Sequence, residues 1–123
     1  MFEEIDKRFA YLLSLQTKKN ADTEIITRAY NKAKELHFYQ KRKDGTPYLM
    51  HPVEVAIILA ELGFDEDTIC GALLHDTIED CGYTIEEMII DFNKNIAEMV
   101  DSVSAIDKTK YIYDHSEIYE DPN

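Results

Sequence analysis

Apolar side chains recur along this chain at three- and four-residue spacing, while alternation at period two never lasts, so the pattern predicts helices and almost no strand. The first predicted helix covers residues 2–15, with Phe2, Ile5, Phe9, Leu12 and Leu13 on one face. The second covers 22–39, opened by Asp22 as cap and carrying Ile25, Ile26, Ala29, Ala33 and Leu36. "KRKDGTPY" follows as a loop, punctuated by its Asp-Gly and Thr-Pro pairs. A third helix should start at Pro52, a residue suited to the first helical position, and stop at Gly63, suited to the C-cap. Its stretch "VEVAIILAEL" is apolar nearly all round, which predicts the central, most buried helix.

A fourth helix is predicted over 65–80, ending at Cys81-Gly82. The fifth begins at Thr84 with Glu87 three residues on, a capping box. A sixth covers 95–106, and the tail after Asp107 is polar and Tyr-rich. These elements predict one all-α domain over residues 1–123, which leaves no room for a second core.

The pattern breaks its own rule at "ALLHDTIED", residues 72–80. On a single helix Ile69, Ala72, Leu73, Asp76 and Asp80 share a row, so Asp76 continues the apolar stripe into the core. An ionised carboxylate buried there needs a cation or hydrogen-bond donors. Glu79 sits one turn beyond His75 and Asp76. Gly71 and Ala72 are small and leave space near His75. His51, just before Pro52, should have extended backbone, and the positive end of the following helix dipole favours a neutral ring, the form that binds metals.

Charge sharpens the picture. Net charge is −12, and between Asp44 and Asn93 there is no Lys or Arg but twelve Asp or Glu, so the whole surplus lies in that block. That charge argues against a general nucleic-acid binder, which needs a basic face. The acidic block is ordinarily a solvated surface; the other reading is a cation site beside the basic lip at 41–43. Taken singly, each residue has a plain explanation. A histidine at a helix start is ordinarily satisfied by its surroundings, and Glu79 and Asp80 would make a solvated helix end. Two histidines, a core-facing Asp and an uncompensated acidic block together point to a metal ion. No stretch approaches the ~18 apolar residues of a membrane span, and "MFEEIDKRFAYLL" lacks the pattern of a signal peptide, so a cytoplasmic protein is expected. Cys70 and Cys81, eleven apart on the predicted fourth helix, would be separated by roughly 16 Å of helical rise. That exceeds the ~7 Å limit of a disulfide, and reduced thiols are expected.

The segment "QKRKDGTPYLMHPVEVAIILAELGFDEDTICGALLHDTIED", residues 40–80, resembles the hydrolase domain of the RelA/SpoT alarmone enzymes, a branch of the HD phosphohydrolase superfamily. The resemblance covers roughly residues 28–107 and rests on R-K-x-G-x-P-Y-x-x-H-P followed by L-L-H-D-x-x-E-D. It implies an HD-domain helical bundle that removes the 3′-diphosphate from guanosine tetra- or pentaphosphate, with a divalent metal, usually manganese. It implies His51, His75 and Asp76 as metal ligands and Glu79 and Asp80 as the catalytic acids. By the same resemblance Arg42 would pack on the guanine base, with Lys43 as the basic residue beside it.

Two departures bear on these expectations. Tyr39 stands where the family usually has Gly before Gln40. The family also closes its metal site with an Asp in a later K-x-A-D-R-x-H-N helix, and the sequence ends at "YEDPN" without that motif. Asp101, Asp107 and Asp114 are candidate substitutes, but none matches the motif and none is assigned. A fragment or truncated product is therefore expected, with weak metal retention and little hydrolysis. A non-catalytic HD module that binds nucleotide or a protein partner, a phosphohydrolase for another nucleotide, and a plain helical domain are the competing readings.

Overall fold

The computed structural model describes residues 1–107; Asp114, the polar tail and the "YEDPN" end lie outside the described residues. Among the described residues seven helices follow one another: α1 (Glu3–Thr17), α2 (Thr23–Leu36), α3 (Met50–Glu61), α4 (Glu66–Leu74), α5 (Thr77–Cys81), α6 (Ile85–Asp91) and α7 (Lys94–Asp107). Among the described residues no strand ladder forms; one isolated bridge joins Lys41 to Pro47 within a loop. The all-α expectation is met.

Local chemistry starts the helices where the sequence places caps. The Asp22 side chain accepts from the backbone N–H groups of Glu24 and Ile25 to open α2. Thr84 and Glu87 bond reciprocally as a capping box for α6. Buried faces follow the periodicity: Ile5, Phe9 and Leu12 on α1, and Ile26, Ala29, Tyr30 and Ala33 on α2. Arg8 of α1 grips Glu54 of α3 through two nitrogens, at 2.6 and 3.0 Å, fixing how those helices cross.

Three expectations change. The helix begins at Met50, so His51 is helical rather than extended; Pro52 still lies in the first turn, where its missing N–H leaves no helix bond unmade. The hub is α4 rather than α3: every α4 residue from Thr68 to Leu74 is buried, and the helix packs against α7, α3 and α2.

The predicted fourth helix is also two helices, broken at His75-Asp76. His75 Nδ1 donates to the Ala72 carbonyl at 2.6 Å, and Thr77 Oγ1 donates to the Leu74 carbonyl at 2.7 Å. Those are the carbonyls that the amides of residues 76 and 78 would need to continue the helix, so side chains take the place of the ladder. Cys70 and Cys81 consequently sit on different helices. Both are free in this structure.

Candidate metal centre

The break between α4 and α5 turns His75 and Asp76 towards the start of α3. His51 and His75 face each other with ring centroids 5.7 Å apart, and both are buried. Asp76 Oδ2 lies 3.2 Å from His75 Nε2 and 4.0 Å from His51 Nε2. Asp76 is partly exposed at this junction, less deeply set than the single-helix reading implied. Its hydrogen-bond donor is one the sequence pattern did not reveal: the Tyr48 hydroxyl, at 2.8 Å.

The fourth group is Asp107, the last residue of α7. Its Oδ2 lies 2.9 Å from His51 Nε2 and 2.8 Å from His75 Nε2. Ligand atoms of His51, His75, Asp76 and Asp107 all fall within 4.8 Å of one another. Sequence reasoning named Asp107 without choosing it over Asp101 and Asp114. A signal was present: Ile96, Val100 and Val103 are buried along α7, and Asp107 continues their i, i+4, i+7 row to its end. Asp101 is exposed and outside the group.

What brings α7 so close is Gly71. A Cβ built there would stand 2.8 Å from Met99 Cβ and 3.2 Å from the Met99 carbonyl carbon. The space left by Gly71 is thus filled by α7 packing on α4, not by a ligand.

The donor set fits a divalent ion. Because a carbonyl can only accept, the bond to Ala72 places a proton on His75 Nδ1, and when the ring is neutral Nε2 is a lone-pair donor. Asp107 Oδ1 is buried without a hydrogen-bond partner, an arrangement that a cation would relieve. Mixed imidazole and carboxylate ligation suits manganese, iron or zinc. Burial opposes charge on His75, but the Asp107 hydrogen bond and the Asp76 and Asp107 charges outweigh it and raise its pKa to about 9. Burial likewise works to raise Asp107, yet bonds from both histidines hold it well below the usual carboxylate range. Without an ion, His75 therefore keeps its proton and donates it to the Asp107 carboxylate.

A cleft of about 460 Å³ opens beside His75, bordered by Glu79, Asp101 and Ser104 and floored by Ile78 and Ile85. Glu79 and Asp80 are exposed on α5. Desolvation and the Asp76 charge push Asp80 above the ordinary carboxylate range. Lys43 is exposed on the loop, whereas Arg42 is not the free guanidinium expected there. It is 8% exposed, its Nη1 is buried without a partner, and it is not among the residues lining this cleft. The loop itself is well tied: Asp44 Oδ1 accepts from the Thr46 amide and hydroxyl, and Gly45 supplies the left-handed turn at φ +88°.

A helical bundle whose core carries two histidines and two carboxylates on one point belongs to the helical metal-site domains. More narrowly, residues 29–121 match the HD domain, and this chain belongs to that family. Over 96 residues it is 51% identical to the guanosine-3′,5′-bis(diphosphate) 3′-pyrophosphohydrolase of Aquifex aeolicus, covering 78% of this chain and 14% of that protein. Over 88 residues it is 46% identical to the probable GTP pyrophosphokinase of Mycobacterium leprae, covering 72% of this chain and 11% of the relative. The bifunctional (p)ppGpp synthase/hydrolase of Escherichia coli is 46% identical over 86 residues, which are 70% of this chain and 12% of that protein. The chain thus spans about one-seventh or less of the length of these relatives. Among the described residues no helix is long and apolar enough to cross a membrane.

Proposed function

We propose that this domain hydrolyses the 3′-diphosphate of guanosine tetra- or pentaphosphate, releasing pyrophosphate and GDP or GTP, with manganese as the ion. The observation that carries this reading is the convergence of His51, His75, Asp76 and Asp107 beside a cleft bordered by Glu79. The names of the relatives from Aquifex aeolicus and Escherichia coli supply the substrate class. When bound, a divalent ion supplies Lewis-acid polarisation of a phosphoryl oxygen and a lowered pKa for water.

The chain's own residues do the rest. His51, His75, Asp76 and Asp107 would hold the ion, and Tyr48 keeps the Asp76 carboxylate turned inward. Glu79 and Asp80 orient the attacking water and take its proton. Lys43, exposed, offsets the charge of an incoming polyphosphate, while Arg42, buried in the same loop, adds its positive charge without bordering the cleft. A polyphosphate would otherwise be repelled by the acidic block.

The test is turnover of guanosine tetraphosphate by the purified chain with added manganese. Pyrophosphate and GDP should appear, and chelation should abolish both. Stoichiometric metal and nucleotide binding without turnover would replace this reading with the non-catalytic binding module.

A further inference from the structure

Where α2 ends, a second set of buried polar contacts lies behind the acid pair. His37, the C-cap of α2, is wholly buried. Its Nδ1 meets Gln40 Oε1 and lies 3.4 Å from Cys81 Sγ, while its Nε2 is buried without a partner. Since Oε1 can only accept, the ring's proton sits on Nδ1 and donates to Gln40. Cys81 Sγ also reaches Oε1, at 3.8 Å. The carboxamide is thereby turned so that its Nε2 donates to the backbone carbonyl of Asp80, at 3.4 Å. The backbone carbonyl of Gln40 meanwhile accepts from the Tyr48 amide at 2.9 Å, closing the loop that carries Arg42 and Lys43.

We infer that Gln40 is a positioning residue, tying Asp80 to the base of the loop that bears Arg42 and Lys43. A helix of five residues does not hold its geometry unaided. Thr77 anchors the start of α5 on Leu74, and the Gly82 amide closes its end onto Thr77. Gln40 adds the side-chain link from outside the helix to Asp80. It sets the spacing between the acids and the cations of the loop. The inference rests on the catalytic reading of Glu79 and Asp80 given above.

The test pairs kinetics with hydrogen exchange in Gln40→Leu, a variant of similar bulk that cannot donate. Misplacing a reacting group by about 1 Å costs ~10²-fold in rate, so kcat should fall by about that factor. KM should stay within about threefold, since the loop cations are retained, and bound manganese should stay unchanged. Amide exchange at residues 79–81 should quicken. Wild-type kcat in the variant overturns the inference. So does a parallel loss of kcat and bound manganese, which marks a residue that only supports the fold. If the wild-type chain itself turns over no guanosine tetraphosphate, the catalytic reading fails separately; exchange at 79–81 then decides the tie, and unchanged rates there overturn it.

Discussion

At the scale of single residues, His37 gives the clearest pH dependence. Burial lowers its pKa from the ordinary 6.5, against the bond to Gln40 and the charges of Asp76 and Asp80, while His75 adds to the lowering. Cys81 and the Tyr48 ring complete its surroundings. The folded chain resists a proton that the unfolded chain accepts. Its contribution is therefore whole above pH 6.5 and is lost as pH falls below that value, by at most ~1.4 kcal/mol per pH unit, until the folded ring also protonates. Between pH 7.5 and pH 5.5 the urea midpoint of the wild type should drop further than that of His37→Asn. Parallel curves for the two proteins would contradict this. Of the site's side chains, His75 and Asp76 were legible because they interrupt an apolar pattern, and His51 because it stands just before Pro52 at a helix start and in the motif that carries the family resemblance. Tyr48 was not, because a tyrosine in a turn gives no sign of which carboxylate its hydroxyl will reach.

At the scale of elements, the decisive contact is α4 against α7. Caps and apolar rows made most of the helices readable, but the break at His75-Asp76 has no Gly or Pro to mark it. It arises from side chains bonding carbonyls, which periodicity does not register. Gly71 told only that space is left near His75, for a related reason. A small residue shows that something comes close without showing what. Gly71→Ala measures this contact. In an exposed helix the change would stabilise by up to about 1 kcal/mol through propensity, whereas overpacking costs about 1–3 kcal/mol. The added Cβ would meet Met99 Cβ and backbone, which cannot swing aside as a side-chain tip does. The melting temperature should therefore fall, and manganese affinity should fall with it, because Asp107 rides on the displaced helix. A rise in melting temperature would mean that α7 does not approach so closely.

At the scale of the whole molecule, the four donors join segments far apart in sequence. His51 stands at the start of α3, His75 and Asp76 at the α4–α5 break, and Asp107 at the end of α7, 56 residues from His51. An ion held there would cross-link the bundle, so its binding energy would become folding energy. At a free concentration 100 times Kd the gain is about 2.7 kcal/mol. The sequence, with no match to the family's later Asp-bearing helix, implied three donors and weak retention. Asp107, proposed above as a fourth donor, would bring a further negative charge and a further ligand to the same point. Saturating manganese should therefore raise the melting temperature of the wild type clearly. In Asp107→Asn the increment should shrink, each protein being compared with its own metal-free form. That comparison matters because the substitution also removes one of the two carboxylate charges beside His75 in the absence of metal, lowering the starting stability. Asp101→Asn, on the same helix but outside the four-donor group, should keep the full increment. Equal increments in Asp107→Asn and the wild type would remove Asp107 from the ligand set and restore the three-donor site.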